Sequence, residues 1–391
     1  MKLVVIGCGQ CGGRVADGFD RLNKRARSMN GFDIITGAFA VNTDVADLSG
    51  LTSIKSNYDH RILIGGRKTG GHGVGKINEL GAEIAREDSD KIIETIRTTK
   101  NFLDTDAFLV IASAAGGTGS GSIPVITQQI KERYGDKPVY NLIILPFEHE
   151  ETTEERTVYN VATCLKSSYL VADAIFLVDN QRYVMKGASI SGNLAKINSL
   201  IVEPFYNLLC AGEEKKPRHI GAKMLDAGDI IQTLTGWTTL GYGRSHTSLL
   251  KSLFEGARDF RNKATETQKG INAMDEAING LSLGCNTMDS KRALYLVSAP
   301  SKDINLDLVK ELGTCVKNIA PEAVLRSGDY PREGGALDIT LILSELSDVE
   351  KIRNYFTKAI NLISALKKRQ TGLVNQQRDI DLTIKDIPSL L

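Results

Sequence analysis

The chain has 391 residues, and its 48 Lys+Arg against 47 Asp+Glu leave a formal net charge of +1, which excludes a globally basic nucleic-acid coat and an acidic disordered chain. Hydrophobic residues make up 42% and charged residues 24%, the balance of a soluble globular protein. At roughly 100–200 residues per domain, two or three domains are expected, large enough to fold without a disulfide or metal staple.

In chain order, Lys2–Ile6 is a β-branched run ending at Gly7 and predicts a buried parallel strand. A helix follows from Gly12 to Met29. Asp33–Val41 predicts a second strand, ending at Asn42-Thr43-Asp44, and Arg61–Ile64 a third. Ile77–Thr99 carries Ile77, Leu80, Ile84, Ile92, Ile93 and Ile96 at helical spacing. Asp106–Ser113 is a strongly apolar strand. Ile123–Tyr134 reads as a helix with Ser122 as its cap and Pro124 in its first turn. Val139–Pro146 and Ala174–Val178 are further strands. This alternation predicts an α/β, Rossmann-like domain with a parallel sheet covered by helices. A long central helix over Asn193–Ala211 leads through polar Gly212–His219 into Lys223–Gly236. From Arg292 a second pattern begins: strand Ala293–Val297, helix Leu306–Asn318, strands Ala323–Arg326 and Leu337–Leu343, and helix Ser347–Ala365. It predicts a smaller α+β domain. The expected divisions are 1–192, 193–236, 237–365 and a mobile tail at 366–391.

The start, MKLVVIG, has too short an apolar run for a signal peptide. The longest apolar stretch, around Ala107–Ala115, falls far short of the roughly 18 residues of a membrane span. The reading is cytoplasmic, with neither nucleic-acid binding nor membrane insertion. Six cysteines are present. Only Cys8 and Cys11 are close together, and a structural zinc site would need a second pair or matching histidines.

The chain's 37 glycines exceed the roughly 7% average, and they cluster in 7–13, 65–75 and 116–121. Gly7, Gly9 and Gly12 satisfy G-x-G-x-x-G between a strand and a helix, a setting that suits phosphate at a helix N-terminus. Gly116-Gly117-Thr118-Gly119-Ser120-Gly121 repeats that setting at a second strand end, where successive N–H groups form an anion nest. Gly70…Gly75-Lys76 is a near miss to a P-loop, because Ile77 stands where Ser or Thr would hold Mg²⁺. Residues 65–75 therefore read either as a loop over a terminal phosphate or as a long surface loop.

These residues resemble the tubulin/FtsZ superfamily. Gly116–Gly121 is similar to its GGGTGSG signature with Ala115 in the first glycine's place, Gly9-Gln10-Cys11-Gly12 to the tubulin GQCG loop, and Asn42-Thr43-Asp44 to an FtsZ-type NTD loop. The Gly-Gln-Cys-Gly-Gly-Arg start looks most like CetZ, the archaeal tubulin-like group linked to cell shape. The resemblance implies a GTPase binding GTP or GDP, with Mg²⁺ held mostly through phosphates and water. Its nucleotide contacts would be Gln10, Cys11, Gly12, Gly13, Arg14, Asn42, Asp44, Gly116, Gly117, Thr118, Gly119 and Ser120. Glu154, in competition with Glu150 and Glu151, would meet the ribose. Asn180 would meet ribose or base, and Asn198 the guanine, with Leu194 where an aromatic often stacks.

It also implies that catalysis is completed by the next subunit. Asp226 and Asp229 match the D-x-x-D pattern that positions and polarises water, although either could equally cap a helix. The partner is then the chain itself, in a head-to-tail homopolymer. The terminal Asp386-Ile387-Pro388 faintly resembles an anchor peptide, which would make a contact with a membrane adaptor. The alternatives are an FtsZ-type division protein, an NAD(P)-dependent oxidoreductase using Gly7–Gly12 with Asp44 on the ribose, and a scaffold that binds GTP without hydrolysing it.

Overall fold

Six short apolar runs build the first half of the sheet. They are β1 (Leu3–Cys8), β2 (Ile35–Asn42), β3 (Arg61–Leu63), β4 (Ala107–Ser113), β5 (Val139–Leu145) and β6 (Ala174–Asp179). β7 (Gly236–His246), β8 (Ser290–Ala299), β9 (Val324–Pro331) and β10 (Ala336–Leu346) complete it. The computed structural model describes residues 1–99, 101–184, 190–246, 259–334 and 336–363. Among these, the strands form one ten-stranded sheet in the order β3-β2-β1-β4-β5-β6-β7-β10-β8-β9. β1 through β6 are parallel throughout. Strand order reverses around β1, which pairs with β2 on one side and β4 on the other. The crevice at that switch point is where open α/β sheets bind ligands.

The helices in chain order are α1 (Gly9–Asn30), α2 (Val45–Ser49), α3 (Gly66–Thr69), α4 (Asn78–Glu87), α5 (Ser89–Arg97), α6 (Thr118–Arg133), α7 (Glu148–Thr153), α8 (Glu155–Val171), α9 (Ile190–Val202), α10 (Pro204–Ala211) and α11 (Ala227–Thr233). The parallel strands are buried on both faces. Val5, Leu109 and Leu142 pack with α1, α9 and α10 in one core. Val4, Val110 and Ile143 pack with α4, α5, α6 and α8 in the other. A third core lies between the helices Asp259–Asn279 and Leu306–Ile319 and strands β8 and β10.

Several boundaries differ from the sequence reading. α1 opens at Gly9 and α6 at Thr118, so most of both glycine motifs is helix rather than loop. Ser122 is accordingly no cap: its hydroxyl donates back to the Thr118 carbonyl. Pro124 lies inside α6, where it lacks the N–H that would reach the Ser120 carbonyl. The Ile77–Thr99 stretch is two helices broken at Asp88, whose carboxylate accepts from Gly65 N at 2.7 Å. The central helix is likewise broken, because Pro204 opens α10.

The sequence reading proposed no elements over 237–291, where β7 and the helix Asp259–Asn279 stand. Gly241 and Gly243 hide the strand pattern. They are small because a Cβ at either would run into the carbonyl oxygens of Ala277 and Ala273 on that helix. The last helix spans 350–363 and, with Val349 before it, packs Ile352, Tyr355 and Ala359 into the second core, against the parallel half of the sheet. The tail 366–391, with Asp386–Pro388, lies outside the described residues. Among the described residues no helix is long and apolar enough to cross a membrane.

Candidate functional site

β1 and β4 are neighbours, so the helices that follow them start side by side. Neither α1 nor α6 has a side-chain cap or an acidic residue in its first turn. Their first N–H groups therefore lack helical partners, and the helix dipoles add positive charge there. Glycine lets the two ends meet. Gly9 has φ +70°, and a Cβ on it would lie 2.9 Å from Gly119 N; a Cβ on Gly119 would lie 2.8 Å from the Cys8 carbonyl oxygen. Gly117 packs on the chain before α4, its missing Cβ pointing 2.6 Å from Val74 Cγ2. Gly116 differs: a Cβ there would meet nothing within 4 Å. The paired helix ends thus border open space at Gly116, a cradle for an anion.

The surrounding side chains brace this cradle. Thr43 Oγ1 and Thr118 Oγ1 share a hydrogen bond of 2.6 Å. Asn42 Oδ1 accepts from Thr43 N at 2.8 Å, while its Nδ2 donates to Asp47 Oδ2 at 3.1 Å; Gln10 Nε2 reaches the other oxygen of Asp47 at 2.6 Å. The Asp44 carboxylate caps α2, accepting from Ala46 N at 2.8 Å and Asp47 N at 3.2 Å. Gln10 and Arg14 are exposed, Cys11 is half-buried, and Gly12 and Gly13 are buried under the sheet end.

The middle glycine cluster folds over the same place. Val45 N donates to the Gly71 carbonyl at 3.0 Å and Gly73 N to the Thr43 carbonyl at 3.2 Å. Gly65, Gly70, Gly71, Gly73 and Gly75 all have positive φ, which explains the glycine density of this turn-rich segment.

Sequence reasoning missed Asn160 and Asp47. Asn160, on α8, donates from Nδ2 to the carbonyls of Lys76, Ala115 and Gly116 at 2.9, 3.0 and 3.2 Å. It ties the middle cluster to the second glycine motif. A buried asparagine amid Val158, Val161 and Ala162 is the signal that could have found it. Asn160→Ala should lower stability by about 1–3 kcal/mol, because it leaves those carbonyls without their donor. Thermal unfolding measures this, and a change under about 0.5 kcal/mol would dismiss the bracing role.

Of the three competing acids after β5, Glu150 Oε2 accepts from Phe147 N at 2.9 Å, closing the first turn of α7. Glu151 binds the Tyr355 hydroxyl and Lys358 Nζ. Glu154 pairs with Lys76 Nζ at 2.5 Å. At the end of β6, Asp179 pairs with Lys351 Nζ at 2.7 Å. Asn180 beside it is 8% exposed, and its Oδ1 is buried without a hydrogen-bond partner among the described residues. Such an acceptor is costly unless something donates to it. Asn198 and Leu194 sit half-buried on α9, and α9 runs beside α1, where Gly18 makes room for Val202.

Cys8 and Cys11 are free thiols. Burial pushes the Cys11 thiol up to about 12, with Glu150 adding to it and Arg14 opposing, and burial raises Cys8 further. Burial thus favours the neutral thiol over the reactive thiolate at both.

Asp226 and Asp229 are elsewhere. Asp226 caps α11, accepting from Asp229 N at 2.9 Å, and Asp229 lies 3.3 Å from Arg326 Nε. α11 feeds β7, whose first residue Gly236 pairs with Ala174, the first residue of β6. The acids therefore sit at the N-terminal edge of the parallel strands, and the glycine motifs at the C-terminal edge. A strand of this length spans about 20 Å, so within one chain the acids and the cradle do not meet.

Residues 2–185 match the model for the Tubulin/FtsZ family GTPase domain, and residues 187–361 that for the tubulin-like CetZ C-terminal domain. The tubulin-like protein CetZ1 of Haloferax volcanii is 33% identical over 376 residues, covering 92% of both chains. The solved GDP bound monomer of CetZ1 from that organism has a TM-score of 0.79 at 31% identity, covering 93% of this chain and 99% of that one. Its CetZ2 GTPγS bound protofilament has a TM-score of 0.79 at 28% identity, covering 94% and 100%.

Proposed function

The chain belongs to the tubulin-like CetZ family, and from that premise we propose that it binds GTP at the paired helix ends and hydrolyses it only after head-to-tail assembly. The observation that carries this is the separation of cradle and acids across the sheet. Each chain presents a phosphate site on one edge and carboxylates on the opposite edge. A heterologous contact joining the two repeats without closing, so it yields filaments.

The phosphates would rest on the N–H groups of Gly9–Gly13 and Thr118–Ser120, with Asn42 and the middle glycine cluster alongside. Asn180 Oδ1 would accept from the nucleoside, Asn198 would face the base from α9, and Glu154 would face the ribose once released from Lys76. Asp226 and Asp229 of the adjoining chain would accept the hydrogens of a water and bring its oxygen in line with the terminal phosphorus. Among the described residues no three His, Cys, Asp or Glu side chains form a metal-holding group. Mg²⁺ would enter on the phosphates with its waters, where it supplies charge neutralisation. Filaments of this kind suit control of cell shape. The CetZ C-terminal domain favours that role over an FtsZ-type division ring. An oxidoreductase reading leaves Gly116–Gly121 unused, and the Asp44 carboxylate it would need is already capping α2.

Turnover per chain should rise with protein concentration in GTP, in step with pelletable material. GTP should raise the melting temperature where NADH does not, since a ligand stabilises the state that binds it. Concentration-independent turnover without polymer would overturn assembly-dependent hydrolysis.

A further inference from the structure

We propose that strand β9, through Asp329 and Arg326, positions the acidic loop that serves the neighbouring copy's nucleotide. This rests on the function proposed above and adds to it which part of the molecule sets the acids in place.

Among the described residues β9 is the last strand of the sheet, so one of its edges lacks a strand partner there. The chain just before Asp226 lies along it. Asp329 N donates to the Lys223 carbonyl at 3.0 Å. The Asp329 carboxylate, only 7% exposed, accepts from Ala222 N at 3.0 Å and Lys223 N at 2.6 Å. Lys223 Nζ donates to Ser327 Oγ at 2.9 Å. Hydrogen bonds from backbone N–H groups to a charged carboxylate are the strong kind.

Close packing seats the rest of the segment. A Cβ at Gly328 would lie 2.7 Å from Leu225 Cβ, and one at Gly212 would lie 3.0 Å from the Leu225 carbonyl oxygen. Leu225 itself is buried. Beyond the acids, the Arg326 guanidinium takes Asp229 Oδ1 at 3.3 Å and also donates to Gln232 Oε1.

The loop is thus held before Asp226 by Asp329 and after it by Arg326. Each catalytic aspartate has one oxygen tied inside the chain: Asp226 Oδ1 by Asp229 N, and Asp229 Oδ1 by Arg326. The second oxygen of each accepts no hydrogen bond that the described residues show, and in this proposal it receives the water. Arg326 and Asp329 contact the loop and α11, so their action is through the loop. The C-terminal strands, rather than the nucleotide-binding half, therefore set where the acids point.

The test uses the full chain carrying Arg326→Ala, Arg326→Lys or Asp329→Asn. Nucleotide affinity of the monomer should stay within about twofold, since neither residue is at the cradle, and pelleting with GTPγS reads separately whether the assembly contact survives. GTP turnover per pelleted subunit should fall about 10- to 100-fold for Arg326→Ala, the scale of a small misplacement of catalytic groups. Arg326→Lys should recover much of it, with KM unchanged throughout. Asp329→Asn should show a loss of the same kind; if it fails to fold, the Arg326 pair decides. Unchanged turnover per pelleted subunit in Arg326→Ala overturns the proposal, as does a loss that merely follows lost polymer. Failure of the underlying function looks different: Asp226 and Asp229 variants would then keep full turnover per pelleted subunit.

Discussion

An Asp226→Asn chain will bind GTP as the unsubstituted chain does and turn it over at least about 100-fold more slowly, the scale on which an enzyme loses a group acting on the reacting atoms. Asparagine is the informative replacement. Asp226 caps α11 through Asp229 N, and asparagine caps about as well as aspartate, whereas alanine would cost about 0.5–2 kcal/mol of stability. The charge is lost and the cap is kept, so a drop in turnover without a drop in melting temperature isolates the chemistry.

Mixing then tests whether the carboxylate acts across chains. A Gly116→Leu chain, with its cradle filled but its acids intact, should restore part of the turnover when added to Asp226→Asn. Mixed contacts would bring a working cradle against a working acid. Single-turnover assays with labelled GTP would read this. If mixing restores nothing while mixed polymer forms, the acids do not act in trans.

The same small change at two glycines should weaken nucleotide binding for different reasons, with a loss of stability at only one of them. At Gly12 a Cβ would run into the Ile111 carbonyl of β4, pushing α1 off the sheet and parting the two helix ends. Overpacking of this kind costs about 1–3 kcal/mol and sometimes more, so Gly12→Ala should melt several degrees lower and bind nucleotide poorly. At Gly116 a Cβ meets nothing within 4 Å. Gly116→Ala should melt within about a degree of the unsubstituted chain, because no packed atom is displaced, while nucleotide affinity falls about tenfold or more as the methyl enters ligand space. Isothermal titration alongside calorimetric melting separates the two. Normal nucleotide binding by Gly116→Ala would show that the open space is not where the phosphates lie.

How far the site could be read in advance depended on whether a residue acts through local backbone or through contacts distant in sequence. The glycine motifs were legible because a strand, a glycine and a helix start within a few residues, and the chemistry of a free helix end is local. Their extent was misread, since glycine lowers helix propensity and both motifs looked like loops. Asn160 was invisible because its three acceptors lie more than 40 residues away in sequence. Arg326 read as the ordinary end of a strand, and Asp329 lay outside every predicted element.

By itself, the sequence determined the parallel α/β sheet, the place of the two glycine-rich helix starts and the family resemblance. Those follow from periodicity and short motifs, whose physics acts over a turn or a strand. Only the tertiary structure decided that one sheet runs through both halves of the chain, that the last helix packs back on its parallel half, and that the two aspartates and the paired helix ends lie at opposite edges. Strand pairing between distant segments settles those points. The edge on which a side chain lies depends on the direction in which its strand enters the sheet, and no local pattern of residues specifies that.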